Sequence, residues 1–290
     1  MVVMPRSTPL VFAVLLLMAS CNRTPEAPTY QLVGQVLAVR PETSEILVKH
    51  EDIKGFMPAM TMPYRVKDVA LLKDRAAGDL ITATLVVEPE LAWLSAITKT
   101  GSAPLPEDAP TKIPAAAGVQ LLKPGDAVPG TPLLDQDDRR LALPNWRGSA
   151  IVVTFIYTRC PLPQFCPLLD RRFGEIQTMA AAEPALRGNV RLLSISFDPA
   201  TDRAAVLRAH AAKAGADPAV WRFATAEEAI VDRLAATFGV NVIREKDGTI
   251  THNLRTAVVD AGGRLVSIHD SNAWSAASLV DELKTAVLAR

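Results

Sequence analysis

Between residues 30 and 100 apolar and polar residues alternate in short runs: "YQLVGQVLAV", "SEILVKH", "AMTMPYRV", "DLITATLVV" and "LAWLSAITKT", each bounded by turn-forming residues. A period of two sends successive side chains to opposite faces, so these runs predict five strands. Five short strands in so compact a stretch predict a small β-barrel of the OB type over 30–100. The next stretch, "GSAPLPEDAPTKIPAAAG", has no periodicity and reads as a linker over 101–119. Beyond it the pattern changes. "AIVVTFIYT" and "NVRLLSISF" are continuous apolar runs suited to buried strands, each followed by a segment with helical spacing. "AEEAIVDRLAATFG" predicts a further helix, "LRTAVVD" and "RLVSIHD" split by "AGG" an antiparallel hairpin, and "SAASLVDELKTAVLA" a closing helix. Residues 120–290 therefore read as an α/β sandwich.

The amino terminus follows neither pattern. "MVVMPRSTPLVFAVLLLMASC" carries one Arg and an apolar run too short to span a bilayer, the make-up of a secretory signal over 1–20. Its end, "LMASC", resembles a bacterial lipobox, which would make Cys21 the lipidated first residue of the mature chain and 21–29 a tether. An ordinary signal peptide cleaved elsewhere is the alternative. The lipobox reading places the protein in the cell envelope, facing the periplasm and anchored to the membrane by its lipid. It also leaves Cys160 and Cys166 as a pair in a compartment where disulfides persist. A net charge of zero without a basic patch argues against nucleic acid as a partner.

Cys160 and Cys166 sit in "YTRCPLPQFCPLLD", where a buried strand gives way to a helix. That junction offers unpaired backbone N–H groups and a helix dipole, both of which favour a thiolate. Five residues separate the two, against the two of a C-x-x-C redox pair. A structural disulfide would close only a small loop and gain little entropy, which favours chemistry at this site. The position of the pair predicts a thioredoxin-like form of the sandwich. Thiolates are soft ligands that suit Cu(I) and that zinc also accepts.

The segments "VVTFIYTRCPLPQFCPLLDRRF", "LLSISFDPATDRAAVLRAHAAKAGADPAVWRFAT" and "GTITHNLRTAVVDAGGRLV" resemble the Sco/SenC family of membrane-tethered, thioredoxin-like copper proteins, over roughly 120–290. The resemblance implies that Cys160, Cys166 and His252 bind copper, a soft set suited to Cu(I) and able to hold Cu(II) that zinc would accept with a fourth ligand. It implies too that Asp198 in "SFDPATD" stands just behind the ligands, and that the cysteines form a disulfide when oxidised. It further implies delivery of copper to a cuproenzyme such as cytochrome oxidase. The cysteine spacing is longer here than is usual in that family. His210, inside a helix, and His269, at the end of a strand, read as ordinary structural residues. No proline follows Pro218, so the stretch "THNLRTAVV" lacks the proline with which thioredoxin-type enzymes grip a peptide. That points away from thiol–disulfide exchange as the main activity, although a reductase preparing a partner's cysteines, or a copper buffer or sensor, remains an alternative.

The barrel carries its own cluster, "KHEDIKGFMPAMTMPY". Three of the chain's seven methionines, Met57, Met60 and Met62, fall in it. Met60 and Met62 are two apart on a strand and so project from one face, with His50 ending the strand before. Thioethers and an imidazole are soft, uncharged ligands suited to Cu(I); methionines filling a barrel interior are the plain alternative. This stretch resembles the CusF-type copper-binding domain, which implies that His50, Met60 and Met62 hold Cu(I). Met57 falls where that family has a tryptophan, and would cap the ion or join its ligands.

Overall fold

In a computed structural model, the described residues span 27–289 apart from 42–43, 58, 89–91, 107–118, 161, 245–247, 249, 271 and 273. The signal segment, Cys21, most of the tether and most of the expected linker lie outside them.

The barrel strands are β1 (Thr29–Arg40), β2 (Glu45–His50), β3 (Met60–Val66), β4 (Asp79–Val87) and β5 (Ala92–Ser102). β1 pairs with both β2 and β4, and β3 runs parallel to β5, so the five strands close into a ring consistent with the expected OB-type barrel. Leu32, Val36, Ile46, Val48, Ile81, Leu85 and Leu94 fill it. The closing contact between β3 and β5 is short, with Arg65 opposite Trp93 and Val66 opposite Leu94. One glycine is needed for closure: Gly34 faces His50 across β1 and β2, and a Cβ there would lie 2.6 Å from the Lys49 carbonyl oxygen.

The second unit comprises β6 (Leu133–Asp135), β7 (Arg140–Leu141), β8 (Ala150–Ile156), α1 (Cys166–Ala182), β9 (Val190–Ser196), α2 (Ala204–Ala214), β10 (Trp221–Thr225), α3 (Glu228–Thr237), β11 (Val242–Arg244), β12 (Ile250–His252), β13 (Arg255–Val259), β14 (Leu265–Asp270) and α4 (Ala276–Ala286). Seven strands form one sheet in the order β14-β13-β8-β9-β10-β6-β7, with β8, β9 and β10 parallel and β13 antiparallel to β8. Every residue of the central β8 is buried, as its unbroken apolar run requires. The short hairpin β6–β7 and the strand β10 extend the sheet beyond the elements read from the sequence. β11 and β12 pair only with each other, so His252 ends a small hairpin of its own rather than merely preceding β13.

The two units touch. β12 lies against β3, and the Thr251 hydroxyl donates to the Thr61 carbonyl. Leu162, from the loop between the cysteines, is part of the barrel's apolar cluster, while Cys160 and Phe165 pack against both cores. No helix among the described residues is long and apolar enough to cross a membrane.

Candidate metal centre

The strand-to-helix turn after β8 is held by a buried carboxylate. Asp202 accepts hydrogen bonds from the Thr158 N–H at 2.9 Å, the Thr158 hydroxyl at 2.5 Å and the Ser196 hydroxyl at 2.5 Å. The residue just before Cys160 is tied down separately: Arg159 Nε donates to Asp198 at 2.6 Å and its Nη2 to the Gly248 carbonyl at 2.8 Å. The loop's far end is fastened by Asn272, whose Nδ2 donates to the Gln164 carbonyl at 2.6 Å. Asp198, expected just behind the candidate ligands, is therefore engaged by Arg159, the residue that precedes Cys160.

α1 begins at Cys166 with Phe165 before it, a residue with no side-chain acceptor to cap the first N–H groups. The Cys160 sulfur takes up part of that role. Its pKa falls to about 7, chiefly because the Cys166 thiol donates to it, with the Leu162 and Cys166 N–H groups and the Tyr157 hydroxyl adding to the effect against the cost of burial. Burial instead pushes the Cys166 thiol well above the usual range. The pair is thus one thiolate-prone sulfur, partly exposed, and one protonated sulfur behind it.

His252 packs against Phe197, ring centroids 4.6 Å apart, and edge-on to Tyr157 at 5.7 Å. Burial lowers its pKa to about 4, so the ring is neutral at pH 7. Nδ1–H donates to the Asn253 carbonyl at 3.0 Å, which leaves Nε2 as the free lone pair. Fixing one ring nitrogen to a carbonyl is how metal-binding histidines are oriented.

The barrel repeats the device. His50 Nδ1–H donates to the Glu51 carbonyl at 2.7 Å, and Nε2 is buried without a hydrogen-bond partner. Burial lowers the pKa of this ring too. A buried bare nitrogen costs free energy unless something occupies it. His50 faces Met60 across β2 and β3, and Val48 faces Met62, so imidazole and thioethers share a face. These residues fit a soft ion. Met57 is buried close by, but its sulfur accepts from the Tyr64 hydroxyl at 3.8 Å. Trp93 pairs with Arg65 at the other end of β3.

The structure brings most of these groups to one place. Met60, Thr61, Met62, Tyr157, Cys160 and His252 line a single cavity of about 20 Å³ between the units. A cleft of about 460 Å³ also reaches His252 and Phe165. Among the described residues no three His, Cys, Asp or Glu side chains stand close enough together to hold an ion. The donors that complete the cavity are thioethers. His210 and His269 lie elsewhere, each beside a carboxylate, Asp170 at 2.8 Å and Glu282 at 2.9 Å. Sequence reasoning missed Tyr157 and Asp202, though both stand in the segments that carry the resemblance.

Residues 129–288, just over half of the chain, match the family described as SCO1/SenC. Residues 29–99 match the family described as copper binding periplasmic protein CusF. Among solved structures, the second unit is similar to a SCO1/SenC family lipoprotein from Bacillus anthracis str. Ames, at 20% identity over 57% of this chain and 98% of that one, TM-score 0.51. BsSco, a member of the Sco family of cytochrome c oxidase assembly proteins, is 20% identical over 59% of this chain and 99% of its own, TM-score 0.50. At this identity the likeness is one of fold, and it agrees with the thioredoxin-like sandwich expected. No curated protein matches the chain.

Proposed function

The chain belongs to the SCO1/SenC family, and from that premise we propose that it is an envelope copper carrier with a site in each unit. The sandwich holds copper through Cys160, Cys166 and His252 and passes it to a cuproenzyme such as cytochrome oxidase. The barrel holds Cu(I) through His50, Met60 and Met62. Cys21 carries the lipid that keeps the protein at the membrane, facing the periplasm. The observation that carries the sandwich site is the pairing of a thiolate-prone Cys160 with a neutral His252 whose Nε2 is free, on one cavity. Soft sulfur and imidazole donors select Cu(I) over hard cations. The three groups are not pre-closed around a point, so the ion itself draws them together.

The test is competition for Cu(I) between the reduced full chain and a chromophoric chelator. Cys160→Ser, Cys166→Ser and His252→Ala should each abolish tight binding at the sandwich while leaving the fold intact. A His252→Ala protein with the affinity and spectrum of the unmodified chain would overturn the assignment. Asp198→Asn acts only through Arg159 and should weaken binding by about 10- to 100-fold, the range for residues that orient ligands.

A second reading has its own support. The dithiol is hydrogen-bonded and Cys160 has a pKa of about 7, conditions that also suit thiol–disulfide exchange. Reduction of insulin disulfides at a rate comparable to thioredoxin would favour a reductase.

A further inference from the structure

The proposed sites of the two units are not separated by solvent. Met60 and Met62, which that reading assigns to the barrel's ion, line the same cavity as Cys160 and His252. His50 stands directly across from Met60 on the neighbouring strand. The thioethers therefore lie between the barrel's imidazole and the sandwich's thiolate. The cavity, about 20 Å³, has room for one atom-sized occupant. Leu162, seated in the barrel's cluster, and Phe165, packed against both cores, also line it.

Resting on the copper reading above, we infer that Met60 and Met62 are shared by both sites, and that one Cu(I) is held in this cavity by ligands from both units as it crosses between them. The step is a ligand exchange. The Cu–N bond to His50 breaks, a Cu–S bond to Cys160 and a Cu–N bond to His252 form, and the thioethers stay bound. Copper remains monovalent throughout. The proton released by the Cys160 thiol goes to water. Thioethers suit this middle position because they bind soft ions without carrying a proton or a charge.

The experiment uses the reduced full chain carrying [¹³C-methyl]methionine, titrated anaerobically with Cu(I) against bathocuproine disulfonate. The first equivalent should shift the Met60 and Met62 methyl resonances. The double variant Met60→Leu, Met62→Leu should lose first-ion affinity by at least the about 10- to 100-fold carried by residues that merely orient ligands. Leucine for methionine conserves volume, so the fold should survive. Thr61→Arg provides an independent check. Thr61 is buried between the two methionines in the chain, where β3 meets β12, and its carbonyl takes the hydrogen bond from Thr251, so an arginine there should wedge the units apart while every proposed ligand is kept. In that variant the methionine methyls should no longer respond to the first ion. The inference is overturned if those methyls move only with the second equivalent and the double variant binds the first ion as tightly as the unmodified chain. If instead Cys160→Ser with Cys166→Ser leaves first-ion affinity unchanged, the thiolate reading itself fails, and the shared site with it.

Discussion

His50 in the barrel and His252 in the sandwich are prepared alike and accompanied differently. Each donates Nδ1–H to the carbonyl of the next residue and keeps Nε2 available. Beside His50 stand thioethers, which neither titrate nor readily join to one another. His252 instead shares its cavity with Cys160, which titrates near neutrality, while Cys166 behind it is held protonated by burial. On the proposed assignment, the same imidazole device therefore serves one site indifferent to redox state and one governed by it. Metal ligation requires the thiolates to be reduced and deprotonated. On the proposed assignment, the barrel would hold its ion under conditions that close the sandwich.

Oxidation should break the comparison most sharply. Converting Cys160 and Cys166 to a disulfide removes two ligands from one unit and none from the other. Copper bound per oxidised chain, measured by elemental analysis after chelator washing, should fall to what the barrel alone retains, and His50→Ala in the oxidised chain should remove that remainder.

A titration sharpens the contrast between the two sulfurs. Cys160 titrates at about 7, and only the thiolate attacks an alkylating agent. Iodoacetamide labelling at Cys160 should therefore slow by about tenfold for each pH unit below 7 and level off above it. Cys166, raised by burial, should remain unlabelled across that range. Peptide mass spectrometry separates the two positions.

Gly34→Ala tests the barrel alone. The added Cβ meets the Lys49 carbonyl and the His50 backbone, neither of which is free to move aside. Forced overpacking of this kind costs about 1–3 kcal/mol. Urea unfolding should register that loss while labelling of Cys160 is unchanged. Met57→Leu should have the smallest effect, under about 1.5 kcal/mol for a volume-conserving exchange. Its sulfur is engaged by Tyr64 rather than facing the cavity, so Cu(I) affinity should be unaltered.

Elements with strong local periodicity are legible in the amino-acid sequence. All five barrel strands lie where alternation predicts them, and α1 spans Cys166–Ala182, the whole of the segment "CPLLDRRFGEIQTMAAA". Short elements are not legible in this way. β6 and β7 have three and two residues, too few to set a period, and β10 has five. β11 and β12 flank the charged stretch "EKDGT", which reads as a loop. The candidate ligands are visible as residue types and spacings, but the convergence of Met60 and Met62 with Cys160 and His252 is not. It depends on β3 meeting β12, a contact between residues 190 apart that no local pattern encodes. Nor does a sequence say that Asp198 is spent on Arg159 or that Asp202 fastens Thr158.

The size of the cavity between the units imposes a condition on hydration. A space of about 20 Å³ is small for an ion together with its full water shell. Whatever enters must exchange its waters for sulfur and imidazole at the threshold. Small hard cations such as Mg²⁺ give up water reluctantly and gain little from thioethers, so their desolvation is left uncompensated. A soft monovalent ion loses less on dehydration and regains it from the very groups that line the wall. On the proposed assignment, selectivity would then be set by the cost of arriving dry, as well as by the identity of the ligands that wait inside.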